Sequence, residues 1–577
     1  MENKWIIAII FVIYMAAMVG IGLYVFRKRK NDKNAYLLAG RNLNPWVASM
    51  SAQASDMSGW LLTALPGLAF GSLVLNNSAV GAKEAIWTAI GLFVGTMVNW
   101  IVVARRLRVY TQVAGDSQTM PEYFQNRFRD SRGILRIVSA VIILFFFTIY
   151  TASMFSAGAK LFNSVFGMDY GVALWLGAAI IVAYVFMGGF LAVSYTDLVQ
   201  GLLMFFTLLI VPMVMLGQMS PDQLTQAGNI FGDVGKLFPS ADSGVSWMLV
   251  ASSLGWGLGY LGMPHILVRF MATKDKRTIK PATVIAGVWC VLTLGAAVVI
   301  GILAGVFLGP GVVSDPEQVF IGVVQKCFPP VVAGVLLSAV LAAIMSTADS
   351  QLLVASTAFS NDIYAKVIRK NALDKELVWV NRGTIVGVSL VAALIAMDSD
   401  SSIFELVSYA WAGFGASFGP LVLFSLYSKR VTLKGAVAAM ITGAVTTIVF
   451  KYGLARLGGF WAIYELIPGF ILSSAALWII SLLDRKNSKK YEEDFNRMLE
   501  ELRRDDDEEQ TATEQASAEV TADSGLTEES QSASDEQASA QVAHDGEDSV
   551  AVLAMTPAQE NAVAAPQADQ TAQPDKE

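Results

Sequence analysis

The chain has 577 residues, of which 54% are hydrophobic and only 15% charged, with a mean hydropathy of +0.52. Soluble domains carry about 25% charged residues, so this composition excludes a water-soluble globular protein and gives a polytopic membrane protein. The net charge of −7 is split: residues 491–577 hold 24 acidic and 4 basic residues, leaving 24 and 37 for residues 1–490. Cys290 and Cys327 stand in apolar surroundings without Cys-x-x-Cys or Cys/His spacing. That excludes a disulfide framework and a zinc site and leaves both as packing residues.

Apolar runs of roughly 17–25 residues are long enough to cross a bilayer as helices. The first, at about 5–26, exceeds a signal-peptide core, and "RKRKNDK" (27–33) follows where a cleavage site would fall. The second, at about 45–70, contains "SAQASDMSGWLLTALPG", in which Asp56, several hydroxyls, Gly59 and Pro66 interrupt the apolar pattern. An ionisable residue at membrane depth is costly and marks a functional site. Runs at about 82–104, 134–161, 168–189 and 193–217 complete a first group of five. A second group follows at about 244–263, 282–309, 322–347, 382–398 and 403–427, and two further runs lie at about 434–453 and 459–483.

Thirteen crossings of an all-α membrane protein are therefore expected. The basic stretches "RKRKNDK", "RRLR" (105–108), "KDKR" (274–277), "KVIRKNALDK" (366–375), "SKR" (428–430) and "DRKNSKK" (484–490) fall on alternate connections. The positive-inside rule then places the N-terminus outside and the C-terminus in the cytoplasm. Domain organisation reads as an extra helix and basic loop (1–44), a five-span unit (45–217), an extracellular loop (218–243) and a second five-span unit (244–427). Two peripheral helices (428–490) and an acidic tail (491–577) complete it. The tail opens with a Glu/Arg-rich stretch of helical character (491–509). The remainder is Ala, Gln, Ser, Thr, Asp and Glu, a composition that cannot bury enough to fold and reads as disordered.

The second five-span unit also opens on an interrupted helix, "GWGLGYLGMP", with Gly255, Gly257, Gly259, Gly262 and Pro264. Discontinuous helices in corresponding positions of two halves point to the midplane site of a secondary transporter, and an odd number of spans per unit inverts the repeat. Half-helix N-termini suit a substrate carboxylate. Unwound carbonyls, with hydroxyls such as those of Ser346 and Thr347 in "AAIMSTADS", suit a hard cation.

Five long stretches carry a resemblance: "SAQASDMSGWLLTALPG", "GGFLAVSYTDLVQG", "GWGLGYLGMPHILVRFMA", "LLSAVLAAIMSTADSQLLV" and "YAWAGFGASFGPLVLFS". In this order, over about residues 1–485, the chain resembles the solute:sodium symporter family, its proline-carrying members in particular. The resemblance implies thirteen helices with a five-plus-five inverted-repeat core, and sodium-coupled uptake of L-proline across the cytoplasmic membrane of a bacterium. It implies a sodium site made by the carbonyls of Ala54, Met57 and Ala343 with the hydroxyls of Ser346 and Thr347. Asp56 and Ser58 match positions tied to coupling, and Asp197 matches an acidic position of the ion pathway. Trp256, Tyr260 and Pro264 match the proline pocket, and Arg41 matches a basic residue at the inner mouth. Aromatic walls also suit proline chemically, since its ring is apolar and its amine cationic. Met263, where relatives often carry a polar residue, leaves the exact solute open, and Asp349, an added carboxylate, leaves the ion stoichiometry open.

The implied partners are L-proline, sodium and the lipid bilayer, with no cofactor beyond the coupling ion and no nucleic acid. A symporter for another solute (another amino acid, pantothenate or a sugar) is the alternative. A transporter-like sensor is opposed by the lack of a globular catalytic domain in the tail. An enzyme is opposed by the scarcity of histidine (His265 and His544) and the absence of a nucleophile–base pair.

Overall fold

The computed structural model describes residues 2–28, 38–75, 77–186, 189–309, 311–484 and 491–504. The chain divides into two units, Met1–Leu502 and Arg503–Glu577, and the first is described below. The loop at 29–33, and the disorder expected of the tail from 505 onward, lie outside the described residues.

The described chain is helical, and its one isolated β-bridge joins Leu43 to Thr273. The helices are α1 (Glu2–Lys28), α2 (Pro45–Leu62), α3 (Ala64–Leu75), α4 (Val80–Val113), α5 (Met120–Arg127), α6 (Ile134–Phe166), α7 (Tyr170–Val185) and α8 (Phe190–Gln218). After them come α9 (Pro221–Val234), α10 (Trp247–Gly255), α11 (Pro264–Met271), α12 (Ile279–Phe307), α13 (Val319–Cys327), α14 (Pro330–Ile368), α15 (Asp374–Ile395), α16 (Ile403–Tyr427), α17 (Leu433–Tyr452) and α18 (Leu466–Leu483). Residues 492–504 form a last helix, α19.

Eleven helices among the described residues are long and apolar enough to cross a membrane, two fewer than hydropathy windows give. Of the expected crossings, α7 has 16 residues, and Trp247–Met271 is cut into pieces of 9, 7 and 8. Three other expectations also shift. The window ending at 347 continues as α14 to Ile368, because Ser346, Thr347, Asp349 and Ser350 are polar yet buried, at 0–1% exposure. The 218–243 loop contains α9, whose start is fixed by a reciprocal Ser220–Gln223 capping box. The tail begins later than composition placed it, because Tyr491, Phe495, Met498 and Leu502 are buried.

Both helix breaks have local causes. Ser58 sits at φ 47°, ψ −177°, inside α2, a conformation that strains a residue with a side chain and clusters at functional sites. Its hydroxyl accepts from the Trp60 N–H at 3.1 Å, in place of a helical carbonyl. The second break is a seven-residue 3-10 segment, Trp256–Gly262, ended by extended Met263 and restarted by Pro264 at the first position of α11. Its backbone lies directly on α4: a Cβ on Gly257 would strike the Gly91 carbonyl, and one on Gly95 would strike Gly257. Only glycine allows that approach.

The broken segments lie at the centre. α2 packs against α8, α12 and α14, and the 3-10 segment packs against α4 and α16. α14 and α16 are the most enclosed spans, whereas α1, α15 and α18 are the least and present their apolar faces outward.

Candidate substrate and ion site

Residues 54–58 of α2 face two ways. Toward α14, the Ser346 hydroxyl donates to the Ala54 carbonyl at 2.7 Å and the Ala343 carbonyl at 3.3 Å. Thr347, beside it, is fully buried, and its hydroxyl has no hydrogen-bond partner among the described residues. An orphaned buried hydroxyl is uncommon and calls for an unseen partner. Met57, 3% exposed, is the residue before the break. The cluster is composed of neutral oxygens, a donor set that suits a hard monovalent cation.

In the other direction lies a small cavity bounded by Asp56, Ser58, Trp60, Tyr150, Trp256, Tyr260 and Trp411. The Tyr260 hydroxyl donates to Asp56 Oδ2 at 2.6 Å, which fixes the carboxylate at the wall. Trp256 packs on Trp60, Phe404 and Tyr464 with ring centroids 5.5, 5.2 and 5.4 Å apart. The chamber is therefore aromatic on several sides and carries a carboxylate beside the helix break.

Three of the remaining sequence candidates lie elsewhere. Pro264 lines a second cavity with Gln118, Met120, Ile143, Phe190 and Leu353, and its position at the start of α11 gives it a structural part in the break. Arg41 bonds Asp116 at 2.9 Å, the Met271 carbonyl at 2.7 Å, the Ser117 carbonyl at 2.9 Å and Thr111 at 3.2 Å. It thereby ties the chain before α2 to the ends of α4 and α11. Burial holds its guanidinium below the ordinary value, and Asp116 pulls it back up.

Asp197, on α8, sits in a buried charge cluster. Its Oδ2 accepts from Ser51 at 2.6 Å and from Arg269 Nη2 at 3.1 Å. Arg269 also reaches Ser350 and the His265 carbonyl, and Ser350 in turn donates to Asp349 Oδ1 at 3.2 Å. Two carboxylates thus face one guanidinium, and Asp197 Oδ1 and Asp349 Oδ2 have no partner among the described residues. Such a pair is held by geometry, because removing one member strands a buried charge. Arg269 escaped the sequence reading although it is visible as a charge in the apolar run "HILVRFMA".

Outside the aromatic chamber lies an open vestibule of about 730 Å³, lined by Lys160, Tyr170, Asp315, Glu317, Phe404 and Glu405. Glu317 accepts from the Ile403 and Phe404 N–H groups at 3.1 and 3.0 Å and from Lys160 at 2.6 Å. A carboxylate at the N-terminus of α16 is favoured by the helix dipole. Phe404, whose ring stacks on Trp60 at 6.3 Å, separates vestibule from chamber. Nothing local in "DPE" (315–317) marks Glu317, because its partners lie 157 and 86 residues away.

Residues 36–443 match the model of the Sodium:solute symporter family. The chain is 45% identical over 498 residues to the sodium/proline symporter of Escherichia coli (strain K12), covering 84% of this chain and 94% of that relative. It is 43% identical over 486 residues to the osmoregulated proline transporter OpuE of Bacillus subtilis (strain 168), covering 83% and 94%. Among solved structures it is similar to a Na+-coupled sialic acid symporter in a substrate-bound outward-open state. The TM-score is 0.67 at 19% identity, covering 83% of this chain and 98% of that one.

Proposed function

Because the chain belongs to the sodium:solute symporter family, we propose that it couples the entry of sodium to the uptake of L-proline across a bacterial cell membrane by alternating access. It is a multi-pass transporter and not an enzyme. Proline as the solute is supported by relatives above 40% identity named for proline.

The observation that carries the mechanism is the double engagement of residues 54–58. Ala54 meets Ser346 on one side of α2, and Asp56 meets Tyr260 on the other. We assign sodium to the carbonyls of Ala54, Met57 and Ala343 and the hydroxyls of Ser346 and Thr347. An ion drawing those oxygens together fixes the helix break at Ser58, and with it the cavity wall that carries Asp56. Proline lies between Trp256, Tyr260 and the neighbouring aromatics, its amine toward Asp56. Asp197 belongs to the inner ion path. Arg41 acts there as a brace, and Pro264 through the geometry of the break. The two five-span units (45–217 and 244–427) form the inverted repeat, with the N-terminus outside and the C-terminus in the cytoplasm, as the basic loops support.

The test is labelled L-proline uptake into vesicles under an inward sodium gradient and under an equal potassium gradient. Uptake in sodium alone is expected. Equal uptake in both refutes the coupling, and sodium-driven transport of another solute with none of proline refutes the substrate.

A further inference from the structure

We propose that Tyr464, carried by a segment outside both five-span units, is a positioning residue of the solute chamber: it backs the Trp256 ring and holds it in the plane that proline meets. This rests on the proline reading above and names what keeps one wall of that site in place. Tyr464 lies in the connection just before α18, and it is buried. Its ring is nearly parallel to that of Trp256, with centroids 5.4 Å apart and planes 21° apart. Trp256 is among the residues bounding the chamber and Tyr464 is not, so the stack supports Trp256 from outside the chamber.

Tyr464 is itself pinned to two elements. Its hydroxyl donates to the Ser408 carbonyl of α16 at 2.8 Å, and its backbone N–H donates to Ser252 Oγ of α10 at 3.1 Å. The first turn of α18 presses on the same corner: a Cβ on Gly255, the last residue of α10, would strike Ile467, and one on Gly415 would strike Leu466. The Trp256 ring also meets Trp60 and Phe404, but tilted, at 35° and 47°. Phe404 separates chamber from vestibule and has to move aside for a solute to enter, and Trp60 follows the Ser58 break by two residues. Tyr464 is the one of the three that stands off the solute's route, so its support persists while the chamber opens. Without it the Trp256 ring has to be ordered again each time proline binds. Immobilising one such side chain weakens binding roughly twofold to tenfold.

The experiment is a double-variant cycle on proline uptake at saturating sodium, with rates normalised to transporter in the membrane. Y464L raises the KM for proline roughly twofold to tenfold with little change in maximal rate. Y464F, which keeps the ring and loses the Ser408 bond, recovers most of the KM. W256L raises the KM as well, and adding Y464L to it changes nothing further, because the ring that Tyr464 holds is gone. A merely structural role lowers the maximal rate, or multiplies the KM by the same factor with and without Trp256. Either result overturns the proposal, as does a Y464F that binds proline no better than Y464L. If Y464L fails to reach the membrane, Y464M, whose flexible side chain fills the space without a ring, carries the same cycle. Equilibrium binding of labelled proline replaces uptake where W256L is too slow to follow. Absence of sodium-driven proline uptake in the unaltered protein overturns the functional reading itself, and with it this one.

Discussion

Replacing Thr347 with valine separates a cation ligand from a structural hydroxyl. The Thr347 hydroxyl is fully buried without a partner among the described residues, whereas the neighbouring Ser346 hydroxyl bonds two carbonyls. Leaving a buried hydroxyl unsatisfied costs about 1–3 kcal/mol. In sodium-free buffer, Thr347→Val therefore leaves the thermal melting of the detergent-purified protein unchanged or raises it. Ser346→Ala lowers it, since about 0.5–1.5 kcal/mol per lost bond is forfeited. With sodium the order changes. An oxygen facing a charge contributes about 1.5–3 kcal/mol, which converts to roughly 10–150-fold in affinity. The sodium concentration that half-activates proline uptake should rise by that factor in Thr347→Val, and the stabilisation by sodium should shrink accordingly. The reasoning fails if Thr347→Val destabilises the sodium-free protein as much as Ser346→Ala, or if sodium activation is unchanged.

Tyr260→Phe removes the donor to Asp56 and should raise the proline KM roughly tenfold or more at any sodium concentration; recovery at saturating sodium would move Tyr260 to the ion site. Arg269→Gln strands Asp197 and should lower stability by about 3–5 kcal/mol. Adding Asp197→Asn should restore part of the melting temperature without restoring transport, and a double variant no more stable than Arg269→Gln would show that the pair is not coupled. Truncation after residue 490 removes Tyr491, Phe495, Met498 and Leu502 from the core, together with the Arg129 ion pairs to Glu493 and Asp494. It should therefore lower the melting temperature, whereas truncation after residue 504 should leave uptake and melting intact.

The sequence made the helix breaks legible because glycine, proline and a mid-membrane carboxylate each violate the pattern of an apolar helix. Ala54, Ala343 and Ser346 lay within quoted stretches, and the structure brings them into contact across 292 residues. What stayed hidden depends on pairing at a distance. Glu317 reads as an ordinary loop acid until Lys160 and the start of α16 arrive beside it. Arg269 gains meaning only from Asp197, 72 residues earlier. Trp411 looks like any aromatic in a buried span, because nothing local shows that its N–H donates to the carbonyl of Trp256, 155 residues earlier. The docking of α19 was obscured by the acidic composition around it, which conceals apolar side chains at 491, 495, 498 and 502 on one helical face.

The central claim is that one helix break serves both ions and solute. Purified protein allows the proline Kd to be measured without sodium and at saturating sodium, and the sodium Kd without proline and at saturating proline. Coupling through residues 54–58 requires each ligand to tighten the other by the same factor, on the order of 5–150-fold. Proline binding that is equally tight with and without sodium would contradict the account.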